Sequence, residues 1–266
     1  MADQDFVGSI PEIYDRCLGP LLFEPYARDL AARLAARPGR SVLELAAGTG
    51  IATAAVAGAL PAGTRIVATD LNQPMLAVAA VRPHTSGVEF RTADAQDPPF
   101  ADGDFDTVFC QFGVMFMPDK DRAYREMRRV LAPGGTLVFS VWDRVETSPI
   151  VDTVVSALAR RFPADPPGFI ARTPHGYHDP EAIRDALGAA GFGETSVEAL
   201  TLPSVAPSAR DVAVGFCQGT PTRHEIVARD ETGLAAVTDA VESAVAERFG
   251  DGPVNSTMAA FIVTAR

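Results

Sequence analysis

From residue 41 onward the apolar positions keep switching between two periods. Val42, Leu43 and Leu45 form a short run that is apolar on both faces, as suits a parallel strand buried between helix layers. The small residues Ala46-Ala47-Gly48-Thr49-Gly50 then make a turn that leads into a helix over 50–60. The same rhythm repeats as strand 64–70, helix 73–82 and strand 88–93, then a proline-rich loop at 97–103. Strand 105–112, helix 119–131, a turn at Pro133-Gly134-Gly135 and strand 136–142 complete the series. Strands alternating with helices predict an α/β fold of the Rossmann-like, doubly wound kind. Its sheet is mostly parallel, with right-handed crossovers and helices on both faces.

On either side of this stretch the pattern is helical. Residues 1–9 read as a mobile arm. Residues 11–36 carry Ile13, Leu18, Leu22, Tyr26, Leu30 and Leu34 at helical spacing, broken by Pro20 and Pro25 and stopped at Pro38-Gly39. After Trp142, helix 149–162 presents Ile150, Val154, Leu158 and Phe162, and 163–180 is a proline-rich loop holding two histidines. Helix 179–190 has Asp179 as its N-cap and Pro180 in its first position, and Gly191 ends it. Strand 195–202 follows, then helices over 208–249 with a loop at 218–223, and a last strand at 258–264. The expected organisation is one domain in three segments. An N-terminal helical lid (1–40) precedes a nucleoside-binding core (41–143), and 144–266 completes the sheet while inserting a helical cap. No internal repeat or low-complexity tract is present.

Composition narrows the chemistry. The chain has 266 residues, 47% hydrophobic and 21% charged, enough for a well-buried core. A net charge of −11 argues against a nucleic-acid partner, because neutralising phosphates needs clustered lysine and arginine. Lys120 is the sole lysine; with the high alanine content this fits GC-rich coding, and a halophile less well. Cys17, Cys110 and Cys217 are too dispersed for a disulfide frame or a zinc site, so no metal is expected and a reducing compartment is. The acidic N-terminus is unlike a signal peptide, and no run is apolar and long enough to span a bilayer. The expected location is the cytoplasm.

The candidate site lies at the carboxyl ends of the first strands. Glu44, just before the small-residue turn, can accept backbone N–H bonds or hold a ligand ammonium; otherwise it is an ordinary strand-end glutamate. The turn at 46–50 lets a ligand approach its backbone, beside a helix N-terminus. Asp70 lies 20 positions beyond Gly50, the spacing at which doubly wound folds set an acid on a ribose diol; its structural alternative is an N-cap, which Asn72 could supply instead. Leu71 and Met75 offer an apolar surface for a base, or simply core. Asp94 can accept from an adenine amine while the Ala95 N–H serves a ring nitrogen, or Asp94 is a turn aspartate. Gln111 can bond a ligand's polar tail. Phe112, Met115 and Phe116 can line an acceptor pocket, or with Met117 pack under the next helix.

Taken together, these segments resemble the class I S-adenosylmethionine-dependent methyltransferases. The resemblance is carried by 42–50, Asp70, Asp94 in Ala-Asp-Ala-Gln-Asp-Pro-Pro-Phe, and Val130-Leu131-Ala132-Pro133-Gly134-Gly135-Thr136-Leu137. Within the class the chain is most similar to the small-molecule branch that includes the ubiquinone/menaquinone-biosynthesis enzymes, strongly over residues 40–142. The resemblance implies S-adenosylmethionine as cofactor. Glu44 with Ala46, Gly48, Thr49 and Gly50 would hold its methionine part, Asp70 its ribose, Leu71, Met75, Asp94 and Ala95 its adenine, and Gln111 would lie near the transferring methyl. It also implies seven strands, the last antiparallel beside strand 195–202. Ala46 stands where glycine is commoner, which a methyl should tolerate. No Asn/Asp-Pro-Pro-Tyr/Phe signature follows the fourth strand, so methylation of amino groups on DNA bases or glutamine finds no support.

A nicotinamide dehydrogenase of the same fold would want a small residue at position 53, where threonine stands, and lacks the Pro-Gly-Gly turn. A second alternative is an S-adenosylmethionine-binding protein with a non-methylating or regulatory role. Methyl transfer from a sulfonium is an in-line displacement that needs alignment and exclusion of water. An alcohol, phenol or carbon-acid acceptor also needs a base. His175, Tyr177 and His178 in the proline-rich loop are the candidates, with Tyr14 in the N-terminal helix a candidate for cofactor or acceptor contact and Asp143 equally a turn residue; His84 and His224 read as surface. The acceptor is expected to be small and largely apolar.

Overall fold

The computed structural model describes residue 8 and residues 10–266, so the arm expected at 1–9 falls outside them except for Gly8. The chain opens with α1 (Ile10–Ile13), a π-helix (Tyr14–Phe23) and α2 (Glu24–Ala36). Pro20 lies inside the π-helix instead of breaking it, since a widened turn can accommodate a residue without an N–H. β1 (Ser41–Leu45), α3 (Ile51–Ala59), β2 (Arg65–Asp70), α4 (Gln73–Ala79), β3 (Val88–Thr92), β4 (Phe105–Gln111), α5 (Lys120–Val130) and β5 (Leu131–Trp142) follow, each within a few residues of expectation.

Pro133-Gly134-Gly135 is the exception in this series, because it sits within β5 and not ahead of it. Phe105 pairs with Leu131 and Thr107 with Thr136, so the extra residues bulge out of the ladder, with Gly134 at φ +79°. Beyond β5 come α6 (Pro149–Arg161), α7 (Phe169–Arg172), α8 (Pro180–Ala189), β6 (Thr195–Ala206), α9 (Ala209–Gln218), α10 (Thr222–Arg229), α11 (Leu234–Phe249) and β7 (Val254–Ala265). The short α7 interrupts what reads as plain loop, and β6 and β7 are longer than their apolar patterns because sheet pairing extends them.

The seven strands run in the order β3-β2-β1-β4-β5-β7-β6. β1 pairs in parallel with β2 and β4, β2 with β3, and β4 with β5, while β7 is antiparallel to β5. The expected place of the last strand, beside β6, is therefore what is found. Central β1 is buried on both faces and edge β3 is largely exposed, which explains why only the former is a continuous apolar run.

Contacts divide the chain into two compact units. The first holds the residues up to Pro25, Asp143–Gly176 and Thr201–Ala259; the second holds Tyr26–Trp142, Tyr177–Leu200 and Ala260–Arg266. Within the first, α9 packs on the π-helix so closely that a Cβ on Gly215 would lie 2.6 Å from Leu18, and α11 packs on α6 and α9. Within the second, Tyr26 meets the rings of Phe112 and Trp142 edge-on and donates from its hydroxyl to Leu200 O, 3.0 Å away. These contacts are why most of α2 belongs with the sheet. Cys17, Cys110 and Cys217 are buried free thiols. No helix among the described residues is long and apolar enough to cross a membrane.

Candidate functional site

β1 delivers Glu44 into the interior at 1% exposure, and the chain then turns sharply at the end of the strand. Ala46 takes φ +55°, Gly48 +57° and Gly50 +79°. The turn is tied down by its own amides: Ala47 N donates to Thr69 O (2.9 Å), Gly48 N to Asp70 Oδ2 (2.8 Å) and Gly50 N to Ala47 O (3.0 Å). Arg82 Nε donates to Thr49 O at 2.9 Å. A Cβ on Gly50 would stand 2.7 Å from Ala79 Cβ, so this glycine serves the close approach of α4 as well as the left-handed backbone. The Thr49 hydroxyl is buried and has no hydrogen-bond partner among the described residues.

Asp70, at the end of β2, is 7% exposed. Its Oδ1 accepts from Asn72 N (2.8 Å) and Nδ2 (3.3 Å) while Oδ2 holds Gly48, so one carboxylate ties the turn to the start of α4. Asn72 makes no side-chain cap on α4. Burial pushes the Asp70 carboxyl up, and backbone donors from Asn72, Gly48 and Leu71 with the Asn72 side chain hold it back. Leu71 is 50% exposed, unusual for a large apolar residue here, while Met75 is buried.

Asp94 forms an Asx turn, with Oδ1 accepting from Gln96 N at 2.8 Å and from Gln96 Nε2 at 3.2 Å. The turn-aspartate alternative thus describes its present contacts, though the side chain is exposed. Ala95 is half-buried, and Gln96 Oε1 accepts from Asp119 N (2.8 Å), joining this loop to the start of α5.

At the end of β4, Gln111 is half-buried and Phe112 adopts φ +54°. The Phe112 ring stacks on Trp142 with centroids 3.5 Å apart and 7° between planes, so that face is taken up by packing. Met115 and Met117 are buried as well. Phe116, half-buried, is the member of this stretch that keeps accessible surface. A Cβ on Gly113 would lie 2.5 Å from Ala46 Cβ and 2.6 Å from Cys110 Sγ, so the exits of β1 and β4 touch here.

The candidate bases fall in both units. His175 is 4% exposed and its Nδ1 lies 2.6 Å from Asp143 O. A carbonyl only accepts, so Nδ1 carries the proton and the basic lone pair of the neutral ring is on Nε2. Tyr14 stacks on Phe23, with centroids 4.9 Å apart. Tyr177 accepts from the Tyr124 hydroxyl (3.2 Å) and packs under Lys120 Nζ, 5.0 Å from its centroid. His178 is half-buried, and Asp179 caps α8 through Glu181 N at 2.9 Å. His84 is exposed as expected. His224 is half-buried, and its Nε2 is buried with no partner among the described residues.

Thr53 is the residue that sequence reasoning missed. It is buried, and its Oγ1 donates to Glu44 Oε2 at 2.5 Å. Sequence marks it only as the residue that spoils a dinucleotide fingerprint. Its place on the first turns of α3, nine positions after Glu44, is the signal that could have found it.

A glycine turn between a buried strand and a helix, followed by an acid at the end of the next strand, defines a nucleoside-binding α/β protein. Comparison with known proteins narrows this. The methyltransferase-domain family matches residues 43–139. The ubiquinone/menaquinone biosynthesis C-methyltransferase of Ralstonia pickettii is 37% identical over 186 residues, covering 66% of this chain and 76% of that one. Among solved structures, Haemonchus contortus phosphoethanolamine N-methyltransferase 2 in complex with S-adenosyl-L-methionine shares the fold at 19% identity. Its TM-score is 0.57, with 96% of this chain and 56% of that chain covered. The [4+2]-cyclase SpnF does so at 23% identity and TM-score 0.56, covering 91% of this chain and 81% of that one. The chain belongs to the class I S-adenosylmethionine-dependent methyltransferases, and S-adenosylmethionine is its cofactor. The residues present fit a cationic nucleoside: two buried carboxyls with no ion-pair partner among the described residues, an unpartnered buried hydroxyl at Thr49 and the exposed Leu71 beside Asp70.

Proposed function

We propose that the chain transfers the methyl group of S-adenosylmethionine to a small, largely apolar acceptor, and that the residues around the glycine turn hold the donor. In this reading Glu44 and the 46–50 backbone take the methionine part. Asp70 takes the ribose hydroxyls, Leu71 and Met75 flank the adenine, Asp94 and Ala95 meet its edge, and Gln111 lies near the sulfonium. The observation that carries it is the pairing of two buried acids, Glu44 and Asp70, on one turn built from small residues. The bound donor supplies an electrophilic methyl on a positively charged sulfur. The protein's part is to orient the two reactants in line and keep water out.

An apolar acceptor is supported by the stretch leaving β4, where Phe116 keeps accessible surface beside buried Phe112, Met115 and Met117. The Ralstonia relative's role in ubiquinone/menaquinone biosynthesis also favours a small molecule over a macromolecule. Where the acceptor needs a base, His175 has the strongest case, because its bond to Asp143 O fixes a tautomer with a basic Nε2; His178 and Tyr14 are weaker.

Release of S-adenosylhomocysteine across a panel of phenols, carbon acids, amines and carboxylates tests the reading. Turnover with apolar phenols or carbon acids, lost in His175→Ala, is the expected result. Tight S-adenosylmethionine binding with no turnover on any acceptor would favour a non-methylating role, of the kind the cyclase's name describes.

A further inference from the structure

Glu44 is more isolated than its companion acid. Among the described residues, the only hydrogen bond to its carboxyl is the one from Thr53 Oγ1, and no arginine, lysine or histidine of theirs pairs with it. The titratable groups facing it are Asp70 from β2 and Cys110 from β4, neither of which supplies positive charge. Asp70, by contrast, has backbone donors on both oxygens. A carboxylate buried this way, with one hydroxyl for support and a second acid nearby, is unfavourable unless a cation arrives. Burial, the largest influence, pushes its pKa up to about 8, with Thr53 pulling down and Asp70 pushing further up.

We propose that Thr53 is a positioning residue for the donor, holding Glu44 as a neutral acid in the free protein and as a carboxylate once the donor's ammonium group binds. The balance is simple: the Glu44 O–H bond breaks, the proton goes to solvent, and the carboxylate forms an ion pair with the incoming ammonium while Oε2 keeps the Thr53 bond. This rests on the donor-site reading above and adds a proton to it. Donor binding near neutral pH therefore strengthens as pH rises, up to the point where the ligand's own amine begins to titrate.

Isothermal titration at pH 7 in buffers of different ionisation enthalpy counts the proton. S-adenosylhomocysteine, which carries the amino-acid half, is expected to release close to one proton per molecule bound. 5′-Methylthioadenosine, which lacks that half, is expected to release none. Thr53→Val is expected to weaken S-adenosylhomocysteine about tenfold, as loss of a hydrogen bond to a charged group does, and to move the pH profile of binding upward. Its affinity for 5′-methylthioadenosine should stay within about twofold of the parent, and Thr53→Ser should restore the parent behaviour. If Thr53→Val does not fold, Glu44→Gln serves instead: it should bind 5′-methylthioadenosine normally and abolish proton release with S-adenosylhomocysteine. Proton release equal for both ligands would point to Asp70, and equal weakening of both by Thr53→Val would make Thr53 merely structural; either result overturns the proposal. If neither ligand binds the parent protein, the donor-site reading itself falls.

Discussion

Ala46 and Phe112 both hold left-handed backbone, at φ +55° and +54°, where an L-residue costs about 1–2 kcal/mol. Sequence placed an alanine at Ala46 where glycine is commoner and expected a methyl to be tolerated; the structure adds that it is tolerated under strain. Ala46→Gly should raise stability by about 0.5 kcal/mol, strain relief exceeding the extra chain entropy of glycine. A urea midpoint below the parent's would contradict this. Spacing marks Asp70 as a candidate ribose acid, but its bonds to Gly48 and Asn72 are not legible there, because they exist only once the turn has formed. Asp70→Ala should weaken S-adenosylhomocysteine by about 2–4 kcal/mol, combining lost ribose contacts with a loosened turn. An unchanged dissociation constant in calorimetry would place the ribose elsewhere.

Among the elements, the exits of β1 and β4 meet at Gly113, which has almost no room for a side chain. Gly113→Ala should destabilise the protein by about 2–3 kcal/mol through overpacking against Ala46 and Cys110. Adding Ala46→Gly should recover part of that loss, since one of the two clashing methyls is gone. Strictly additive changes in a double-mutant cycle read by urea unfolding would show that the two sites do not couple. Periodicity identified β1, β2, β4 and most helices because each needs only its own residues to declare a buried face. It misplaced the start of β5, since the Pro-Gly-Gly bulge is a matter of register with β4. Nor does it record the stack of Phe112 on Trp142 or the burial of Met115, which depend on neighbours distant in sequence.

For the whole molecule, the raised Glu44 carboxyl makes stability depend on pH. The folded chain keeps a proton that the unfolded chain has released above its ordinary value of 4.5, so stability falls as pH rises from there towards about 8 and then levels. Asp70, shifted the same way, adds to the slope. Glu44→Gln removes this term, and because the group is buried, salt should hardly change the result. Thermal melting between pH 5 and pH 9 should therefore show the variant gaining on the parent as pH rises; a gap independent of pH would refute it. At this scale the sequence by itself determined the alternation of strands and helices, the glycine turn and the acids at its edge, because periodicity, turn chemistry and spacing are local. The tertiary structure alone decided that Thr53 bonds Glu44, that Phe112 stacks on Trp142, and that α2 joins the sheet unit while His175 is fixed by Asp143. Those pairings join residues that only folding brings together, and no local pattern records them.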